Sequence, residues 1–243
     1  METKNAWLKY TGEKKAEVFD FAEGYRKFIS ECKTERECAN ALYQDAKKAG
    51  FRDLDDLIAS GETLKAGDRV IANNMGKGLA MFVLGEKDMS QGMNILGAHI
   101  DSPRLDLKQV PLYEDTEMAM LDTHYYGGIK KYQWTAIPLS LHGVVYRRDG
   151  SCVTVRLGED EGDPQFVVTD LLPHLDKKQA AKPLEDAILG ENLNILVGSR
   201  PFGKHAAQLV LRQHAAVHAH GLDRPFEPTG VHVARLVLLV PAA

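Results

Sequence analysis

The stretch NILGAHIDSPRLDL, residues 94–107, carries the clearest indication of both fold and chemistry in this sequence. Its apolar beginning, Asn94–Ile100, has the length and composition of a β-strand. His99 and Asp101 stand at the carboxyl end of this predicted strand, the end at which α/β sheets place their functional sites. Because alternate residues of a strand share a face, we expect both side chains on the same side.

The His99–Asp101 pair has two interpretations on its spacing alone. An imidazole is a good zinc ligand, and a carboxylate two residues away can accept its second N–H, which fixes the tautomer and raises the ligand's basicity. Alternatively, the pair is a buried histidine hydrogen-bonded to a neighbouring aspartate, with no metal. The residues by themselves leave both interpretations open.

The segment before this motif predicts helices that lead into strands. Apolar residues recur at helical spacing over residues 13–31, and Thr34 with Glu37 resembles a capping box that opens a second helix ending near Gly50. Two apolar runs, Arg69–Asn73 and Leu79–Leu84, then have strand length. Helices followed by such strands predict an α/β architecture with helices packed on a sheet.

The residues after the motif predict mainly β-strands. The apolar runs 139–146 and 152–157 predict a hairpin that turns at Asp149-Gly150, and Phe166–Val168 is a further candidate strand. We therefore expect three regions along the chain. They are the amino-terminal part of an α/β domain (1–108), an inserted β-rich domain (109–202) and an atypical tail (203–243).

The tail differs abruptly in composition from the rest of the chain. It holds five of the nine histidines, and it has three arginines to one lysine, whereas residues 1–202 have seventeen lysines to nine arginines. One hypothesis is a reading-frame change near Phe202 that left an unselected sequence. The alternative is a helix over Ala206–His220 followed by an amphipathic end.

Composition excludes several classes of protein. A net charge of −4 gives no electrostatic reason to expect nucleic acid or an anionic membrane as a partner. No apolar run reaches the length of a membrane span, and the charged start does not resemble a signal peptide. Three cysteines at no metal-ligand spacing indicate reduced thiols, so we expect a cytoplasmic protein.

Longer segments of the sequence, taken together with this motif, resemble one particular protein family. GAHIDSPRLDL, at 97–107, resembles the first metal-ligand motif of the aspartyl aminopeptidase family. In the same order as in that family, YYGGIKKYQWTAIPLSLHGVV (125–145) resembles its Tyr-Gly-Gly turn, DLLPHL (170–175) its Pro-His-Leu element, and ENLNILVGSRP (191–201) the end of its inserted domain. The resemblance covers residues 1 to about 202 and stops there.

This resemblance implies a zinc-dependent aminopeptidase that removes N-terminal residues, often acidic, from peptides. In the family, two zinc ions polarise the scissile carbonyl and activate a bridging water, with a glutamate as general base. His99 would be a zinc ligand, and Asp101 the catalytic carboxylate that orients it. His174 would approach the substrate of a neighbouring subunit, although the family's substrate-contacting histidine matches Lys178. The inserted domain would mediate dimerisation within a larger homo-oligomer.

The family's remaining metal ligands and its general base follow the inserted domain, and this chain lacks them. It contains no Glu-Glu dipeptide, and Asp223 and Glu227 are its only acids after residue 202. One histidine with an orienting aspartate cannot hold two zinc ions. The sequence thus predicts a truncated, inactive aminopeptidase chain or, alternatively, a non-catalytic assembly module from the same family. The unpaired edge of the strand at 94–100 would then favour aggregation.

Overall fold

The computed structural model describes residues 5–147, 149–199 and 231–239, the last range by its backbone alone. Contacts divide the chain into two compact units, Met1–Ile100 and Asp101–Ala243. The boundary expected at 108/109 falls inside a strand of the second unit, Arg104–Asp115. The division lies earlier than the change in composition because this strand pairs along its length with strands of the second unit.

Two helices of the first unit, α1 (Gly12–Glu31) and α2 (Glu35–Lys48), begin and end within a residue or two of where the sequence predicts. A further helix, α3 (Leu54–Ser60), lies in a stretch where the sequence pattern predicts no helix. A full capping box starts α2: the Glu37 backbone N–H donates to Thr34 Oγ1 at 3.3 Å, and the Thr34 N–H donates to Glu37 Oε2 at 2.9 Å. None of the described helices is long and apolar enough to cross a membrane.

A three-stranded sheet completes the first unit. Its strands, in the spatial order β1-β2-β3, are β1 (Arg52–Asp53), β2 (Arg69–Asn74) and β3 (Gly78–Val83). The runs predicted at 69–73 and 79–84 are thus confirmed as the antiparallel β2–β3 hairpin. Helices α2 and α3 lie against this sheet. Their small common core contains the following buried residues: Cys38, Ala39, Ala46, Leu57, Val70 and Ile71.

The prediction of a strand over Asn94–Ile100 is wrong. After a 3₁₀ turn at Met89–Gln91, the chain continues without regular structure to Pro103. Leu96 is fully exposed and Ile95 is 79% exposed. Apolar composition alone does not make a strand, because a strand needs a neighbour for its backbone hydrogen bonds, and within the part of the chain described here no strand pairs with this run.

The second unit is a seven-stranded, wholly antiparallel sheet in the spatial order β7-β6-β10-β4-β5-β9-β8. The strands are β4 (Arg104–Asp115), β5 (Met118–Tyr126), β6 (Ser140–Arg147), β7 (Cys152–Leu157), β8 (Val167–Val168), β9 (Ile195–Gly198) and β10 (Val231–Leu239). Two single-turn helices, α4 (Lys177–Ala180) and α5 (Leu184–Ala187), precede β9.

Turn chemistry confirms the predicted hairpin in this unit. β6 and β7 pair antiparallel, Gly150 has a φ of +84° at the turn, and the Ser151 N–H donates to Asp149 Oδ1 at 2.9 Å. The strand predicted over Phe166–Val168 is also confirmed, because β8 spans Val167–Val168 and Phe166 forms a β-bridge with Leu139.

A hydrophobic core lies within the second unit. Among the residues whose side chains are described, its buried members are Leu105, Leu121, Leu139, Leu141, Leu157, Phe166, Val168, Ile188, Leu193 and Ile195. The tail contributes β10, which lies between β6 and β4. The alternative helix over Ala206–His220 lies outside the described residues.

Candidate active site

His99 lies at the end of the first unit, in the irregular segment that replaces the predicted strand. Its side chain is exposed. An exposed imidazole is accessible to a metal ion. Among the described residues, no strand pairs with the backbone that carries it.

Asp101 begins the second unit and is held by a specific contact. The Tyr126 hydroxyl donates a hydrogen bond to Asp101 Oδ2 at 2.9 Å. Tyr126 is the last residue of β5, and Asp101 precedes β4 by three residues, so the β4–β5 pairing brings the two together. The carboxylate is partly buried.

Arg104, which starts β4, is fully buried. Its Nε donates to Asp106 Oδ1 at 2.7 Å, and a terminal nitrogen donates to the Ser102 carbonyl at 3.3 Å. The guanidinium carbon lies 3.9 Å from the centre of the Tyr126 ring, a close cation–π contact. A buried charge requires such partners because its desolvation is costly.

The turn after β5 approaches the motif closely. Gly127 has a φ of +80°, a conformation that favours glycine. A Cβ on Gly127 would lie 3.6 Å from the Pro103 Cα. The Tyr-Gly pair of the sequence therefore packs against Asp-Ser-Pro-Arg through both side chain and backbone.

These residues match one part of a zinc centre. His99 offers the nitrogen donor that zinc prefers, and Asp101 the carboxylate that a zinc-bound histidine often contacts. The described residues contain no cluster of three or more His, Cys, Asp or Glu side chains placed to share a metal ion. The donors present therefore do not complete a zinc site, whose other ligands would have to come from elsewhere.

His174 lies apart from this motif, in an exposed turn at 173–175. The turn is closed by the Leu175 N–H, which donates to the Leu172 carbonyl at 2.8 Å. Lys178 follows in α4 and is also exposed. Both side chains are accessible to another molecule.

A second polar cluster is buried at the β6–β7 end of the sheet and is structural. Ser140 Oγ donates to Glu159 Oε1 at 2.6 Å, and His142 Nε2 lies 3.0 Å from the same oxygen. The serine hydroxyl and the imidazole therefore share one carboxylate oxygen. Near-complete burial of the cluster separates it from substrate.

Tyr126 and Arg104 lie in sequence segments that resemble the family, but the sequence alone indicates no role for either residue. The feature that brings these two residues together is the register of the β4–β5 pair, in which Arg104 and Tyr126 lie directly opposite each other. That register depends on pairing between residues more than twenty positions apart, which no local pattern reveals.

Comparison with known proteins defines the class. The family model described as "Aminopeptidase I zinc metalloprotease (M18)" matches residues 28–236. The chain therefore belongs to the M18 family of zinc metallo-aminopeptidases, which are hydrolases.

Individual relatives agree with this assignment. The chain is 57% identical over 200 residues to a probable M18 family aminopeptidase 1 of Clostridium acetobutylicum, covering 82% of this chain and 43% of that protein. It is 45% identical over 202 residues to the same kind of protein from Borrelia garinii, covering 83% of this chain and 43% of the relative. The chain thus spans less than half the length of these curated relatives.

Solved structures give the same result for the fold. An M18 aminopeptidase from Thermotoga maritima superposes with a TM-score of 0.83 at 35% identity, covering 99% of this chain and 51% of that one. Aminopeptidase I from Clostridium acetobutylicum gives 0.81 at 43% identity, covering 100% and 53%. The mixed helix and sheet architecture expected from the sequence is confirmed.

Proposed function

We propose that this protein provides part of a dinuclear zinc aminopeptidase that releases N-terminal residues from peptides, acidic residues among them. The observation that carries the proposal is the fixed position of Asp101, which is two residues after His99 in sequence and is bonded to Tyr126. His99 would be one zinc ligand, and Asp101 would accept its second N–H. Zinc in such a centre supplies Lewis acidity for amide hydrolysis.

The proposal extends to assembly. We propose that the β-rich region at 109–202 is the inserted domain that mediates homo-oligomerisation, and that the exposed His174 reaches the substrate of a neighbouring subunit. The three cysteines form no disulfide, which fits a cytoplasmic location.

A second candidate function is a non-catalytic assembly module. The observation that favours it is the incomplete ligand set: the described residues supply His99 and Asp101 without a third donor nearby. In this alternative the chain folds and associates but does not turn over substrate.

Zinc content measured together with hydrolysis of aminoacyl-p-nitroanilides separates the two candidates. Tightly held zinc and turnover that are both lost in His99→Gln would support the enzyme. His124→Gln is the matched control, because His124 is also exposed but lies on β5 outside the motif. Absence of turnover at saturating Zn²⁺ would favour the assembly module for this chain.

The hypothesis of a reading-frame change is tested by the nucleotide sequence from the codon of Asn192 onward. A second frame that encodes an acidic segment with a Glu-Glu pair and a late histidine would support it. If no frame encodes these residues, the frame-change hypothesis fails.

A further inference from the structure

We infer that the first unit carries a docking surface for a folded polypeptide of defined identity. That polypeptide is the complementary half, meaning the part of an M18 aminopeptidase that this chain does not cover. The surface is formed by an apolar stripe on α1 and by the exposed end of β3. The inference rests on the proposed function in one respect, that this chain is part of an aminopeptidase.

The stripe on α1 consists of large apolar side chains that recur every four residues. Phe21 and Tyr25 are mostly exposed, and Ile29 is about half exposed. Residues at this spacing lie along one side of a helix. None of the residues of α1 is buried. A helix with a coherent apolar side that its own unit leaves uncovered is suited to pack against other protein.

The charges of α1 indicate what kind of surface it fits. The helix has five acidic and four basic side chains, so its charges nearly balance. Three exposed ion pairs lie along it: Lys14–Glu17, Arg26–Glu23 and Lys27–Glu31. Side chains that already neutralise one another attract a highly charged partner only weakly. The stripe therefore favours an apolar protein surface over nucleic acid or an anionic membrane.

The end of β3 is uncovered on both of its faces. Met81, Phe82 and Val83 follow one another and are each at least half exposed. Because successive strand residues point to opposite faces, apolar side chains are exposed on both sides of the sheet here. Among the described strands β3 pairs only with β2, so its other edge is open as well. One added peptide strand would close the edge but not both faces, which requires a folded partner.

The length of the relatives indicates which folded partner this is. The chain covers 43% of the curated Clostridium acetobutylicum relative and 53% of the solved aminopeptidase I from that organism. These relatives therefore carry about as much protein again in the same polypeptide. An apolar surface spread over a helix and a strand resembles a domain core cut in two, the usual character of an obligate interface. The complementary half is the partner that such a cut surface fits.

Co-expression of the full chain with the complementary half tests the inference. The half consists of the residues of the Clostridium acetobutylicum relative that this chain does not match, and it alone carries an affinity tag. We expect the untagged chain to co-purify with it. The double variant Phe21→Asp/Tyr25→Asp places charge in the stripe and should reduce the co-purified chain at least tenfold. Val110→Asp is the matched control, because Val110 is 86% exposed but lies on β4 of the second unit.

Photo-crosslinking is the second readout and locates the contact. The chain is made with p-benzoylphenylalanine in place of Tyr25 or, as the control, in place of Val110. We expect ultraviolet light to join position 25 to the complementary half and to give no such product from position 110. Mass spectrometry of the crosslinked peptides identifies the residues of the half that cover α1. Circular dichroism of each variant without the half checks that the helices are retained.

The outcomes separate the inference from the proposed function. A complementary half that stays insoluble, or that elutes without the chain, overturns the inference. Equal losses in the stripe variant and in Val110→Asp also overturn it. If the chain alone forms dimers that the stripe variant disrupts, the surface belongs to a second copy and the inference fails. A co-purified complex that holds no zinc and does not hydrolyse aminoacyl-p-nitroanilides refutes the proposed enzyme, whereas the docking surface is still supported.

Discussion

The two units of this chain bury their apolar side chains to different degrees. Among the described side chains of the second unit, ten apolar residues form one buried cluster. In the first unit, α1 buries no residue completely, and Phe21, Tyr25 and Ile29 form an exposed stripe at helical spacing. The second unit therefore has the core of an independent domain, whereas the first presents apolar surface of the kind that other protein normally covers.

The largest expected difference between the units lies in core substitutions. Leu121→Ala removes a fully buried side chain of the second unit and should lower the free energy of unfolding by about 3 kcal/mol. Phe21→Ala, at a side chain 80% exposed, should change it by about 0.5 kcal/mol or less. Urea unfolding followed by tryptophan fluorescence measures both, because Trp7 and Trp134 report on one unit each. Equal effects would refute the contrast.

Cysteine reactivity tests how well each unit is packed. Within the first unit α2 has buried residues, whereas α1 has none. Burial, reinforced by repulsion from Cys38 and Glu37, raises the pKa of Cys32 to about 11. With a pKa of about 11, Cys32 carries about 100-fold less of the reactive thiolate at pH 8 than an ordinary thiol with a pKa of 9.0. Burial also raises the pKa of Cys38.

We therefore expect iodoacetamide at pH 8 to modify the exposed Cys152 first, as followed by mass spectrometry of peptides. In urea the three thiols should react at similar rates. Labelling of Cys38, which is buried in α2, as fast as Cys152 in the folded chain would contradict the packing of α2.

A glycine pair in the second unit tests how tightly its sheet is packed. Gly158 and Gly162 both have positive φ, so alanine strains the backbone at each. At Gly158 the added Cβ would also lie 3.0 Å from the Ser140 Cα, whereas Gly162 faces open space. Gly158→Ala should cost about 2 kcal/mol and Gly162→Ala about 1 kcal/mol by thermal or urea unfolding. Equal losses of unfolding free energy in the two variants would show that the sheet shifts at Ser140 to accommodate the added Cβ.

The smallest expected effect concerns two helix caps in the first unit. Thr34→Ala breaks a reciprocal, buried capping box and should cost about 1 kcal/mol. Thr11→Ala removes a single exposed bond to the Lys14 N–H and should cost about 0.5 kcal/mol or less. Circular dichroism during urea unfolding measures both. A larger loss at Thr11 would mean that α1 is held more firmly than its exposure indicates.

The sequence predicts best what short-range chemistry decides. The start of α2 follows from Thr34 and Glu37, three residues apart, and the β6–β7 hairpin from Asp149-Gly150. The strand expected at 94–100 fails because strand formation depends on a distant partner, which composition does not supply. The motif at 97–103 indicates His99 and Asp101, but the support from Tyr126 depends on a long-range register and could not be predicted.

The place of β10 has a consequence for how the second unit is made. The strand that comes last along the described chain lies in the interior of the sheet, between β6 and β4. On the ribosome, β6–β7 and β4–β5 can form as local hairpins, but they cannot be joined into one sheet until residue 239 has been synthesised. Such late, non-local pairing slows folding and leaves two open strand edges exposed during synthesis. The nascent chain should therefore depend on chaperones until β10 is inserted between β6 and β4.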